Sequence, residues 1–444
     1  MPITQTVTPP LEPIFNRFLS WSPRLFGLSC TTVLVFMSLP VLAEEPNTEI
    51  SLQQAVERSL QTHPALAAYQ FRLESAAAYA QQAAVGEKPE LHLLVEDAFG
   101  TDNYTAIDNA QSTLSISWVL QGGLLEQRFN TRQSKLEVVE LERDIQRYDI
   151  AAQTAHAFLN VLAYQEKLAV AKTVQQHAIQ MLQEIQKMVT AGRFPLADKL
   201  QAEVNLERRE LDVEDIQHEL VSAKKILASQ WGSTEIDFTK AGGAIALSGQ
   251  LISYDELEQG ISSNPDIRYF LTQQRVLDSE ITLAEAEAKN RWRFSAGVRR
   301  YETTRDYGAT FGVSRQLGKS SSNQYKISAL TAEQERYRAD ARAKEIQLTT
   351  QLYVLYSELE HSYHLNEAFT QNILPRLERA LIETQKAYSL GKYSYREWYA
   401  LQTEVLDTRM ELIDVRLKAH NNITEIERLT SLRLTQTKEN GETQ

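Results

Sequence analysis

The chain has 444 residues, a net charge of −12, 17 glycines and 12 prolines, and seven of the prolines lie between Pro2 and Pro46. Turns and phosphate-cradling loops draw on these two residue types, so the shortage excludes a compact sandwich, a doubly wound α/β enzyme and a Gly-rich nucleotide fold. A mean hydropathy of −0.37 excludes a polytopic helical membrane protein, and an acidic chain without a run of six like charges is a poor non-specific nucleic-acid binder.

Residues 1–43 read as a secretory signal. Arg17 and Arg24 flank an apolar run from Leu25 to Leu39, and Val41-Leu42-Ala43 supplies the small-residue cleavage pattern before Glu44. Cys30, the single cysteine, lies inside that segment, so the mature chain is expected to use no thiol chemistry.

A helix is predicted over 51–86. Two alternating segments follow: Leu91, Leu93 and Val95, then Leu114, Ile116, Trp118 and Leu120 with Ser115 and Ser117 between them. Period two reads as strands with one apolar and one polar face. A very long helix is predicted over 124–190, a turn at Gly192, and a return helix over 196–231. After a linker at 232–250 the order repeats. Helix 253–289 leads to Trp292, Phe294, Ala296 and Val298, then Ala309, Phe311 and Val313. A long helix over 320–389, a turn at Gly391 and a return helix over 394–432 complete the second copy.

The repetition is visible in the letters. Thr62-His63-Pro64 returns as Ser263-Asn264-Pro265, and Leu200-Gln201-Ala202-Glu203-Val204 as Leu401-Gln402-Thr403-Glu404-Val405, both 201 residues on. Ala191-Gly192-Arg193-Phe194 pairs with Leu390-Gly391-Lys392-Tyr393. The chain is therefore read as a tandem duplication: repeats at 44–231 and 251–432, then a polar tail at 433–444. Heptad seams run through Ala171, Val174, Ala178, Met181, Ile185 and Met188, through Val213, Ile216, Leu220, Ala223 and Leu227, and through Leu406, Met410, Ile413 and Leu417.

Four strands of about ten residues match the length that crosses a membrane, and Trp118, Trp292, Phe99, Phe311 and Tyr307 suit an aromatic outer face. A closed membrane barrel needs at least about eight strands, so one chain cannot close one. Either identical chains pool their strands, or the strands are soluble hairpins capping a coiled-coil scaffold or adaptor in the periplasm.

The signal segment, the duplicated helix–strand–strand–long helix–return helix unit and the Gly192-Arg193-Phe194 and Gly391-Lys392-Tyr393 turns resemble the TolC-like outer-membrane efflux family. The spaced opening of Leu52, Ala55, Val56, Leu60 and Pro64 and the Gln121-Gly122-Gly123 turn add to it. The resemblance implies a mainly α fold with membrane β-barrel strands. It implies a homotrimer with a 12-stranded outer-membrane barrel on an α-helical periplasmic tunnel, in contact with outer-membrane lipid. It further implies a periplasmic membrane-fusion adaptor and an inner-membrane pump of resistance-nodulation-division or ABC type as partners, no nucleic acid, no cofactor or metal, and no catalysis. Asp306-Tyr307-Gly308, Phe311-Gly312-Val313-Ser314, Asn323 and Ala329 resemble the divalent-cation efflux branch.

In that frame the glycine turns form the periplasmic tip, with Gly192, Arg193, Phe194, Gly391, Lys392 and Tyr393 as adaptor-contact candidates. Asp198 and Glu397, each six residues beyond a glycine, are the gate candidates. Glu397 matches a family carboxylate, whereas the position a turn later is Ala400. A threefold ring of Glu397 would favour cations and raise the carboxylate pKa; the competing reading has both acids serving helix N-termini. Tyr393, Tyr395, Trp398 and Tyr399 crowd the same tip as gate, adaptor seat or packing. His361 and His364, with Glu358 and Glu360 near them, read as a solvated helix face rather than a metal site.

Overall fold

The computed structural model describes residues 49–247, 251–316 and 321–431. The signal segment and the polar tail lie outside these residues.

The first element, β1 (Glu49–Ile50), leads into α1 (Leu52–Thr62), which opens with a capping box between Ser51 and Gln54. Where one helix was expected over 51–86, the structure has two, α1 and α2 (Pro64–Ala83). Proline lacks an N–H and pushes the residue before it out of the helical region. His63 is accordingly extended, and its Nδ1 accepts the Ala65 N–H to cap α2. After β2 (Glu90–Glu96) and β3 (Gln111–Leu120) comes α3 (Leu124–Thr190), 67 residues long. At 1.5 Å per residue it measures about 100 Å. The return helix is α4 (Leu196–Ser229).

The inter-repeat segment is a strap rather than a loose linker. Its β4 (Lys240–Ala241) pairs in parallel with β1. The Gln165 carboxamide bonds both the N–H and the C=O of Ala241, and Glu166 accepts the Ile245 N–H.

The second repeat brings α5 (Tyr254–Ile261) and α6 (Pro265–Glu287), broken at Asn264 as α1 and α2 are at His63. Asn264 caps α6 by accepting the Asp266 N–H. Next come β5 (Trp292–Tyr301), β6 (Asp306–Arg315), α7 (Ser321–Glu367), α8 (Leu374–Ser389) and α9 (Tyr395–Thr430). A six-residue π-helical segment, Ala368–Ile373, joins α7 to α8. It sits just before Pro375, whose missing N–H breaks the helical ladder, so the wider turn accommodates the proline without ending the helix.

Each repeat has its own apolar core. In the first, Ala55 of α1, Phe158, Val161 and Leu162 of α3, and Ala223 and Leu227 of α4 close around Trp231 and Phe238. In the second, Leu257 and Ile261 of α5 pack with Leu348, Leu352 and Leu359 of α7 and Ile423, Ile426 and Leu429 of α9. The heptad seams face inward: Ala171, Val174, Ala178, Met181 and Ile185 are buried, as are Val213, Ala223, Leu227, Leu406 and Ile413.

The four long strands form one antiparallel sheet in the order β2-β3-β5-β6, so β3 pairs with β5 across the two repeats. The register places Leu91, Leu93 and Val95, then Leu114, Ile116, Trp118 and Leu120, Trp292, Phe294, Ala296 and Val298, and Tyr307, Ala309, Phe311 and Val313 on one face. Phe99, expected on that face, lies instead in the loop after β2, which ends at Glu96.

Candidate functional site

The sheet has two chemically opposite faces. Its apolar face is open: Phe311 is 84% exposed, Leu91 72% and Leu93 71%. Trp118 and Trp292 mark the end joined to the long helices, where the Arg315 guanidinium lies 4.9 Å over the Trp292 ring. The other face is mostly polar. Arg299 donates to Glu96 of β2 (3.0 Å) and to Thr113 (2.8 Å) and Gln111 (3.0 Å) of β3, tying three strands together. Nearer the helices Arg293 pairs with Glu90 at 3.0 Å, and His92 bonds Ser117. A Cβ on Gly297 would lie 2.5 Å from the Leu114 carbonyl oxygen, so the sheet allows no side chain there. An apolar outside and an ion-paired inside are what a membrane-barrel segment presents to lipid and to a water-filled lumen. Both edge strands, β2 and β6, have a side with no strand partner among the described residues.

At the other end of the long helices are the two hairpin turns. Gly192 and Gly391 adopt φ of +69° and +71°. In each turn the glycine N–H bonds the carbonyl three residues back (Val189, Tyr388), and the next N–H bonds the one five back (Met188, Ala387). These are two copies of one glycine-terminated helix cap.

The aromatic residues mostly pack. Tyr388, Tyr395 and Trp398 are buried with Met181, Ile185 and Ala202, and Phe194 packs at a tilt against Tyr388 with 4.8 Å between centroids. Only Tyr393 among the tip aromatics is well exposed, at 49%. Of the other adaptor-contact candidates, Gly192, Arg193, Gly391 and Lys392 are exposed and Phe194 is turned half inward.

The two gate candidates part ways. The Glu397 carboxylate accepts from both the N–H and the hydroxyl of Ser394, closing a capping box on α9. The Ser394 backbone bond, then its hydroxyl, holds the carboxyl below the ordinary range. The shift belongs to the capping box within one chain. Asp198 instead accepts from Tyr388 Oη of the other hairpin at 3.4 Å. Burial, then Asp198, pushes the Tyr388 phenol up, and burial carries Tyr395 up to about 12. Two further bonds cross between the hairpins: Asn205 to Tyr395 Oη at 3.5 Å and Arg209 to Tyr399 Oη at 3.2 Å. Asn205 and Arg209 carry no sequence signal beyond their place on α4, because a cross-hairpin bond depends on the angle between two helix pairs. His361 and His364 are exposed on α7, and Glu358 is engaged by Lys418 and Asn422.

Residues 55–233 match the family model described as outer membrane efflux protein. The first repeat is thus similar to outer membrane efflux proteins. That match supports an outer-membrane efflux channel. The cobalt-zinc-cadmium resistance protein CzcC of Cupriavidus metallidurans is 24% identical over 394 residues, 88% of this chain and 92% of that protein. Among solved structures, the outer membrane protein VceC of Vibrio cholerae superposes with a TM-score of 0.69 at 16% identity, covering 85% of this chain and 95% of that one. A membrane protein from Pseudomonas aeruginosa gives 0.72 at 15% identity, with 85% and 92% covered. The family model covers the first repeat; the fold extends the same architecture through the second.

Proposed function

We propose that three copies of this chain assemble into the outer-membrane exit duct of a tripartite exporter, closing a 12-stranded barrel over a helical periplasmic tunnel. The observation that carries this reading is the four-stranded sheet with an exposed apolar face, an ion-paired polar face and two open edges, set on helices about 100 Å long. Open edges and bare apolar area are stable only when covered, and a ring of copies in lipid covers both. The glycine turns are the end available to a periplasmic membrane-fusion adaptor, and through it to an inner-membrane pump. Catalysis belongs to the pump and not to this subunit.

The cargo we assign is a divalent metal cation. The support is the resistance named for the Cupriavidus relative, together with the likeness of the β6 segment to the cation branch. The polar sheet face shows paired charges rather than a dehydrating site, which suits a conduit that passes hydrated ions.

Cell fractionation and heat treatment test the duct. An outer-membrane location and an SDS-resistant oligomer that collapses to monomer on boiling are expected. A monomer extracted entirely by salt wash overturns the duct and leaves the soluble scaffold. Deleting the subunit and scoring growth on cobalt, zinc and cadmium salts, against dyes and antibiotics, tests the cargo: selective metal sensitivity is expected, and unchanged metal tolerance rejects it.

A further inference from the structure

A half-buried polar node lies away from both the sheet and the tip. His156 of α3 points at α9, where its Nε2 meets Glu425 Oε1 at 2.9 Å and its Nδ1 meets Asn421 Oδ1 at 2.8 Å. The second carboxylate oxygen of Glu425 accepts from Arg428 Nε at 2.9 Å. Arg428 also reaches back to Asp149 of α3 at 3.2 Å. Asp266, at the start of α6, adds its field to Arg428 and Asp149 and is paired with Lys344 of α7 at 3.1 Å. Four helices from both repeats thus meet at one cluster, while on its α1 side α3 makes the neutral Thr154–Ser59 hydroxyl bond.

The arrangement has two consequences. Both imidazole nitrogens face oxygen atoms, and only the doubly protonated ring can donate to both. The charges also balance only in that state: His156, Arg428 and Lys344 oppose Glu425, Asp149 and Asp266. A neutral ring leaves one uncompensated carboxylate in a partly dehydrated site and forces the Asn421 carboxamide to turn its NH2 toward Nδ1.

We propose that His156 is a proton-operated clamp between the two repeats, locking α3 to α9 when charged and loosening that seam when neutral. It is a positioning residue for the duct, and the proposal rests on the node's periplasmic placement. The duplication did not supply it. Lys224 and Leu227 stand 201 residues before Glu425 and Arg428, and Lys224 bonds the Thr239 carbonyl instead.

The Glu425 bond raises the His156 pKa, and the same bond, with Arg428, brings Glu425 down to about 2. The sign follows. A raised histidine contributes stability fully below its unfolded value of about 6.5, and that contribution is lost as pH rises through the folded value. Side-chain exposures of 27% and 26% for His156 and Glu425 leave a path for the proton.

The test needs no substitution to begin. Hydrogen exchange at the histidine C2 position, read by mass spectrometry on the intact purified oligomer, reports the titration of His156 directly. A midpoint above the ordinary imidazole value is expected, falling in Glu425→Gln; a wild-type midpoint at or below that value overturns the proposal. Backbone amide exchange around residue 156, corrected for intrinsic pH dependence, should lose protection in wild type as pH rises past the ordinary imidazole value and through the raised folded one. His156→Gln should abolish that change, and parallel pH profiles in the two proteins would also overturn it. These readouts are independent of channel activity, so failure of the duct reading shows separately in fractionation.

Discussion

The two hairpin tips are one backbone design carrying different side chains. Their glycine caps share the same bonds and nearly the same φ. Beyond the glycine they diverge. The first return helix starts after Pro195, which makes no side-chain cap, and its acid, Asp198, bonds the opposite hairpin. The second starts with the Ser394–Glu397 box, and its acid is occupied by its own helix end. Seven residues past the glycine, the first tip has the partly exposed Lys199 and the second the buried Trp398. Duplication preserved what the turn requires of the backbone and released the side chains to specialise, so equivalent positions in the two repeats do not share a role.

The sharpest way to break this comparison is the Lys199/Trp398 pair. Trp398→Ala should weaken the tip by about 3–5 kcal/mol, the cost of emptying a buried aromatic site, whereas Lys199→Ala should stay within about 0.5 kcal/mol. Amide exchange of peptides spanning each turn measures both; equal losses would mean the tips are packed alike. Next, Gly192→Ala and Gly391→Ala should each cost about 1–2 kcal/mol, because both require the left-handed region. Here equality is the expectation, and a clear inequality would show that the backbones are less equivalent than their bonds.

Ser394→Ala removes a helix cap and should cost about 1 kcal/mol, while Pro195→Ala loses no such bond. The smallest effect is the pH dependence of that cap. Glu397 is held low, so its contribution is present above the ordinary carboxylate value and fades as pH falls through the folded one. Protection of the α9 N-terminus should therefore decline in acid in wild type and not in Glu397→Gln. A decline that begins well above the ordinary carboxylate range would favour the carboxylate-ring reading of Glu397 over the cap.

Much of this architecture was legible in advance. The long gap without Gly or Pro from 124 to 191 matches α3 almost to the residue, and the strand alternation gave the two sheet faces correctly. The break at Pro64 was missed because the helical pattern runs through it, though proline chemistry alone predicts it. At the tip, the sequence offered helix N-termini for both acids, which suits Glu397, and could not show that Asp198 reaches the other hairpin. The node at His156 was invisible for the same reason: His156 and Glu425 are 269 residues apart.

The sequence by itself determined the periodicities, the turn positions and the duplication, because these depend on backbone angles and on apolar spacing within a few residues. Tertiary structure alone decided which strands pair across the repeats, which carboxylate faces its own helix end or another hairpin, and which histidine is held between charges. Those outcomes depend on distances of a few ångströms between segments far apart in the chain, and local pattern carries no information about such distances.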